Sequence, residues 1–190
     1  AFALYHLIDP FITVWLGTEY VLPRSVLIII LANFFVSQYR GTIDQFINGY
    51  GLFHDTWAPV TTLAITVIVA LIGGSLWGLS GVLLGDIASS LTIICVWKAY
   101  FLYKEGFRMP VFLYWKNVGK YTALFLLSWA GADGILRLFP LFDPFGGYVA
   151  WTLYAIYSST IFLAIFIPLF YLFSDGIRHL LRRIQSRISS

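Results

Sequence analysis

The sequence predicts an all-α protein, a polytopic transmembrane helix bundle of about six segments. Of its 190 residues, 59% are hydrophobic and 11% are charged, whereas a soluble domain carries about 25% charged residues. The apolar residues form long runs, without the strand-like alternation that is typical of a membrane β-barrel. Because backbone polar groups in lipid must be satisfied within each segment, helices are the structure that fits these runs.

Six apolar segments follow one another along the chain, with turn-forming or charged residues between them. They cover approximately residues 2–17, 25–51, 57–72, 79–103, 115–138 and 148–173. The first is short and contains charged groups and a proline, so we expect it to be the end of a longer helix. Pro59 suits the first turn of the third helix. Glycines predict a tight connection before the fourth helix: Gly73, Gly74, Gly78 and Gly81.

Lysine and arginine residues predict the orientation. One set of connections carries most of them, with Lys98 near the same end of its helix; the residues in these connections are Lys104, Arg108, Lys116, Lys120, Arg178, Arg182, Arg183 and Arg187. The opposite set carries only Arg24 and Arg137. The positive-inside rule therefore predicts a multi-pass membrane protein with its C-terminus in the cytoplasm. We divide the chain into a transmembrane lobe, 1–173, and a basic cytoplasmic tail, 174–190.

Several function classes find no support in the sequence. The net charge of +3 is explained by the connections between helices, so no nucleic-acid partner is expected. No nucleophile motif, phosphate loop or metal-ligand spacing is present, and the one cysteine, Cys95, lies in an apolar run. We therefore expect neither an enzyme nor a cofactor. Since the chain begins at Ala1 and its one methionine is Met109, we expect a fragment that lacks the first part of a longer protein.

The second segment carries polar side chains at helical spacing. At about 100° per residue they fall within an arc of roughly 80°, and they extend over about 22 Å along the helix. A charged pair on such a stripe must face protein or water instead of lipid. The stripe therefore predicts a polar path through the membrane, and its members are the candidate substrate-path residues: Asn33, Ser37, Arg40, Asp44 and Asn48.

Two interpretations of the charged residues stay open. Arg40 and Asp44, four residues apart, either neutralise each other between packed helices or bind an anionic, sugar-bearing substrate. Asp86 in the fourth helix either accepts a hydrogen bond from a neighbouring helix or carries a coupling ion, and Asp44 is the other ion-coupling candidate. His6 and Asp9, three residues apart, are compatible with a proton relay or with a structural role.

A ridge of small residues on the fourth helix predicts close helix packing. The ridge has a spacing of four residues and consists of Gly81, Gly85 and Ser89.

Three stretches resemble one family of membrane transporters. Residues 38–53 (QYRGTIDQFINGYGLF), followed by Trp57-Ala58-Pro59, resemble polysaccharide exporters of the multidrug/oligosaccharidyl-lipid/polysaccharide (MOP) superfamily, and so do residues 77–85 (WGLSGVLLG) and 96–103 (VWKAYFLY). The resemblance covers about 12–107, and the last two helices match only in topology. It implies the second lobe of a two-lobed, MATE-like transporter fold in the bacterial cytoplasmic membrane.

The resemblance also implies a function. Such proteins flip a lipid-linked oligosaccharide, here an undecaprenyl-pyrophosphate-linked repeat unit, to the outer leaflet by alternating access. The product serves O-antigen, capsule or exopolysaccharide assembly. The implied partners are the lipid-linked glycan, membrane lipids, and the polysaccharide polymerase and chain-length proteins. In this family, cationic cavity residues are thought to engage the headgroup, and Arg40 matches that role by its position.

Three other functions remain alternatives. A cation-coupled multidrug exporter of the same superfamily predicts an acidic, aromatic cavity without a required arginine. A membrane-embedded glycan polymerase or transferase requires a large outer loop. A scaffold without transport activity predicts that the cavity residues tolerate substitution.

Overall fold

The computed structural model describes residues 1–52 and 54–174. Within these ranges the chain forms six helices and no strand, so the all-α prediction is confirmed. The helices are α1 (Phe2–Trp15), α2 (Arg24–Gly49), α3 (Trp57–Trp77), α4 (Leu79–Phe107), α5 (Phe112–Leu138) and α6 (Tyr148–Phe173). Four of them, α2, α3, α4 and α6, are long and apolar enough to cross a membrane. Beyond Ser174, the predicted basic tail lies outside the described residues.

The turn between α3 and α4 differs from the prediction. Helix α3 continues through Gly73 and Gly74 to Trp77, and Gly78 with φ +58° makes the turn. A β-carbon at Gly73 would lie 2.6 Å from the carbonyl oxygen of Gly81. Gly73 therefore serves the contact between two helices, which explains why the prediction of a helix end before it is wrong.

Close backbone contact between α3 and α4 confirms the predicted ridge of small residues. A β-carbon at Gly81 would overlap the carbonyl of Gly73, and one at Gly85 would lie 2.6 Å from the carbonyl oxygen of Thr66. Ser89, the next residue of the ridge, has a fully buried hydroxyl that accepts a hydrogen bond of 2.7 Å from the Thr66 hydroxyl of α3. Small residues thus let the two backbones touch, as is common between membrane helices.

Helix α4 changes its winding along its length. Its first part, Leu79–Ser89, is α-helical, whereas Ser90–Lys98 and Leu102–Phe107 have the wider turns of a π-helix. Each wide turn alters the angular position of the residues that follow it. The helix ends at Arg108, which adopts the left-handed conformation with φ +52°.

The described residues divide into two compact units. The first contains residues 21–116 with residues 1 and 3–5, and in it α2 packs along α4. The apolar contacts of α2 are made by its buried residues Val26, Leu27, Leu31, Ile43 and Ile47.

The second unit contains residues 6–20, 117–174 and Phe2. Its core joins Phe2 to Ala132 and Leu136 of α5, with aromatic and aliphatic side chains of α6 packed around them. The indole of Trp151 donates a 3.0 Å hydrogen bond to the carbonyl of Leu7. Buried apolar and aromatic side chains therefore hold α1 against α5 and α6 within this unit.

The contact between α3 and α4 gives a stability prediction. Gly81→Ala should destabilise the protein strongly, because its methyl group has no space beside the Gly73 carbonyl. Gly41→Ala in α2 is the matched control, since nothing lies within 4 Å of its β-carbon position; it should be neutral or stabilising by up to about 1 kcal/mol. Thermal unfolding of the detergent-purified variants measures both. Equal melting temperatures for the two variants would contradict the observed packing.

Candidate functional site

One carboxylate of α2 is held by two cations from two helices. The Lys98 ammonium donates a hydrogen bond of 2.5 Å to Oδ1 of Asp44. Nε of Arg40 lies 3.6 Å from Oδ2 of the same carboxylate. The side chains of Lys98, Asp44 and Arg40 are 18%, 32% and 48% exposed, respectively. The three residues form a charge cluster at the junction of α2 and α4, and we call it the Asp44 cluster.

Lys98 is the member of the Asp44 cluster that sequence reasoning missed. It lies 54 residues beyond Asp44 in the chain, and its position near a helix end suggested only a topological role. A signal was present, however, because Lys98 stands in an apolar run on a candidate membrane span. A charge in such a run requires a partner inside the protein.

The distances show how the charges are shared. Asp44 is bound more closely by Lys98 than by Arg40, and two cations against one carboxylate leave the Asp44 cluster with a net charge of +1. A guanidinium has five N–H donors. No other acceptor contacts Arg40 within residues 1–52 and 54–174. Arg40 therefore retains donors that can bind a further anion.

Trp97, which precedes Lys98 on α4, contacts another acidic residue, Asp55. The indole Nε1 of Trp97 lies 3.0 and 3.1 Å from the two carboxylate oxygens of Asp55. The ring of Trp57 packs on that indole at 4.9 Å between centroids. Two consecutive residues of α4 thus bind α2 at Asp44 and the connection after α2 at Asp55.

The other predicted site residues have separate environments. Asn33 donates its amide N–H to the carbonyl of Leu83 at 3.1 Å, and its buried Oδ1 has no hydrogen-bond partner within the described ranges. The Ser37 hydroxyl donates to the Phe34 carbonyl on its own helix. Asn48 is exposed. The predicted stripe is therefore divided: Asn33 and Asp44 contact α4, whereas Ser37, Arg40 and Asn48 remain exposed.

Asp86 stands on an exposed position of α4. Its side chain forms no ion pair within the part of the chain that the structure describes, and its backbone carbonyl accepts a hydrogen bond from Ser89. The structure therefore does not join Asp86 to the Asp44 cluster. An exposed carboxylate on a candidate membrane span must face water or protein.

A pocket lies on another face of α2. Its volume is about 280 Å³, and the side chains around it are Gln38, Tyr39, Thr42, Ile43 and Tyr114. None of the six predicted site residues lines this pocket. The helical spacing places Tyr39 and Ile43, together with Phe35 and Phe46, opposite the polar stripe. The pocket is thus separate from the Asp44 cluster.

Among the described residues, no group of three or more histidine, cysteine, aspartate or glutamate side chains is arranged to hold a metal ion. Comparisons of the chain with protein-family models, with curated proteins and with solved structures find no match.

The Asp44 cluster predicts a specific pattern of coupling energies. In a double-mutant cycle of Asp44→Asn and Lys98→Gln, the two side chains should couple by about 0.5–3 kcal/mol, because each single variant leaves a partly buried charge without its partner. The matched cycle of Asp44→Asn and Arg40→Gln should give about 0.5 kcal/mol or less, as an exposed pair of spacing four does. Chemical unfolding in detergent measures both cycles. A larger coupling for Arg40 than for Lys98 would contradict the observed geometry.

Proposed function

We propose that this chain is the second lobe of a membrane transporter that flips undecaprenyl-pyrophosphate-linked oligosaccharide repeat units across the bacterial cytoplasmic membrane. The glycan would serve a surface polysaccharide, and transport would proceed by alternating access. One observation carries the proposal: Lys98 binds the shared carboxylate of Asp44 more closely than the half-exposed Arg40 does.

The chemistry of the Asp44 cluster suits a pyrophosphate headgroup. Transfer of charged and hydroxyl groups into hydrocarbon without compensation is very costly, so a headgroup needs polar partners on its path. A guanidinium matches the oxygen atoms of a phosphate with two parallel hydrogen bonds. The net charge of +1 on the cluster attracts an anion and does not favour a cationic drug.

The depth of Arg40 in α2 supports the same interpretation. Arg40 lies about 24 Å from the start of α2 at Arg24, at 1.5 Å per residue. The distribution of basic residues predicts that α2 starts on the outer side, so Arg40 belongs to the cytoplasmic half. A glycan that is assembled in the cytoplasm would meet Arg40 early on its path. The exposed Ser37 and Asn48 supply donors and acceptors for sugar hydroxyls.

The helices support a transporter better than an enzyme. Four candidate spans and the resemblance of residues 38–53, 77–85 and 96–103 to MOP-superfamily exporters are the grounds for the two-lobed fold. A glycan polymerase or transferase would need a sizeable outer loop, and the connection between α5 and α6 is short, 139–147. The proposed partners are the lipid-linked glycan, membrane lipids, and the polymerase and chain-length proteins of glycan assembly.

The test uses a strain in which the full-length gene is deleted and then complemented. Arg40→Ala should reduce surface polysaccharide at least tenfold, because the headgroup loses its guanidinium, and Arg40→Lys should retain part of the activity since the charge remains. Arg24→Ala is the control: Arg24 contacts Tyr5 at the predicted outer end of α2. Surface polymer and cytoplasmic lipid-linked repeat units are measured at equal protein levels. Normal polymer with Arg40→Ala would refute the proposed site.

A cation-coupled multidrug exporter is the second candidate, and Asp86 is the observation that favours it. Asp86 is an exposed carboxylate on α4 without an ion pair in the described ranges. Such a group can bind a proton or a cation during transport. The exporter would use Asp86 and would not require Arg40.

Asp86 separates the two candidates in the same strain. For an exporter, Asp86→Asn should increase drug sensitivity severalfold and leave the polymer intact, because the variant removes the charge on which ion coupling depends. For the flippase, drug sensitivity should stay unchanged in both Asp86→Asn and Arg40→Ala. Minimum inhibitory concentrations of cationic drugs, together with polymer assays, give the measurement. Increased drug sensitivity with normal polymer would reject the flippase.

A further inference from the structure

The second compact unit contains an ionisable cluster of its own. Nη2 of Arg137 lies 2.7 Å from Oδ2 of Asp133, one turn away on α5. From α1, Nε2 of His6 lies 3.7 Å from Oδ1 of the same carboxylate. The exposed fraction of the side chain falls from 78% for Arg137 to 23% for Asp133 and 11% for His6. The carboxylate thus joins an exposed cation to a largely buried imidazole.

The three groups differ in how their charge responds to pH. The guanidinium of Arg137 and the carboxylate of Asp133 form an ion pair. Histidine is the side chain whose ordinary titration falls in the physiological range. At 3.7 Å, a neutral imidazole is beyond the usual length of a hydrogen bond to the carboxylate. Protonation of His6 would convert this contact into an ion pair and change the charge of the cluster from 0 to +1.

Two aromatic rings lie beside the His6 imidazole. The ring of Phe2 lies 4.6 Å from the imidazole between centroids, and the ring of Trp129 lies 6.4 Å from it. From α6, Tyr154 interacts electrostatically with Asp133, and a phenol is neutral near pH 7. Tyr157, also on α6, donates its hydroxyl to the carbonyl of Phe139. Asp133, which is paired with Arg137, is therefore a charged group within reach of the His6 imidazole.

The structure changes the partner that the sequence suggests for His6. The spacing of His6 and Asp9 is compatible with a relay within α1, whereas the contact that the structure shows reaches from His6 of α1 to Asp133 of α5. The backbone carbonyl of Asp9 accepts a hydrogen bond from the Thr13 hydroxyl. A contact between two helices links the protonation of one residue to helix packing, which a pair within one helix does not do.

We propose that His6 and Asp133 form a proton-binding site that joins α1 to α5. The proton binds to the imidazole, the imidazolium pairs with the carboxylate, and the contact between the two helices becomes stronger as the pH falls. The exposed Arg137 lies at the end of α5 that the charge distribution predicts to face outward, so the proton is taken up from that side. This proposal does not depend on which substrate the protein moves.

The test measures the protonation of His6 in the full-length protein in lipid nanodiscs. Histidine side chains are labelled with ¹⁵N and titrated by NMR, and the signal that disappears in His6→Gln identifies His6. Asp133→Asn should lower the pH of half-protonation by about one unit, since the imidazolium loses its carboxylate. Arg137→Gln should raise it, because a repelling cation is removed and the carboxylate is freed. The exposed His54 serves as an internal reference that does not shift.

Opposite shifts in these two variants are the signature of the proposed site. Arg137 is 78% exposed, so Arg137→Gln should fold. If Asp133→Asn cannot be purified, the shift in Arg137→Gln alone tests whether His6 titrates beside Asp133. Asp9→Asn tests the rival pair within α1 and should leave the midpoint of His6 unchanged. The proposal would be overturned if Arg137→Gln left the midpoint of His6 unchanged. It would also be overturned if Asp9→Asn lowered that midpoint and Asp133→Asn did not.

Discussion

The ion pair between Lys98 and Asp44 joins two candidate membrane spans, and the candidate site depends on it. In lipid a lone ammonium or carboxylate is very costly, so each of these groups requires the other. Because Lys98 binds the carboxylate at 2.5 Å, Arg40 on the neighbouring turn is incompletely neutralised and remains half exposed. Packing between α2 and α4 thus converts an ordinary pair within one helix into a site with an excess positive charge.

The two compact units use the same electrostatic arrangement. In each, an aspartate is flanked by an arginine four residues away on its own helix and by a basic residue from another helix. The difference lies in the third group. The third group of the Asp44 cluster is the lysine Lys98, whereas the third group beside Asp133 is the histidine His6, the residue type whose ordinary titration falls in the physiological range.

Packing of α3 against α4 relies on the absence of side chains. Where Gly73 meets Gly81, no β-carbon fits between the backbones. In lipid, the hydrophobic effect does not drive helices together. Contact then comes from close backbone approach and from hydrogen bonds such as the one between Thr66 and Ser89. The same glycines mislead a sequence-based prediction, since glycine is also the usual residue of a turn.

The sequence by itself determined the helical class, the order of the segments and the spacing of Arg40 and Asp44, because apolar runs and periods of four residues are local properties of the chain. The tertiary structure decided which charges meet. Lys98 reaches Asp44 and His6 reaches Asp133 across helix contacts, and no local pattern specifies which faces of two helices pack together. The tertiary structure also divided the predicted polar stripe, because Asn33 and Asp44 form hydrogen bonds with α4 whereas Arg40 remains exposed.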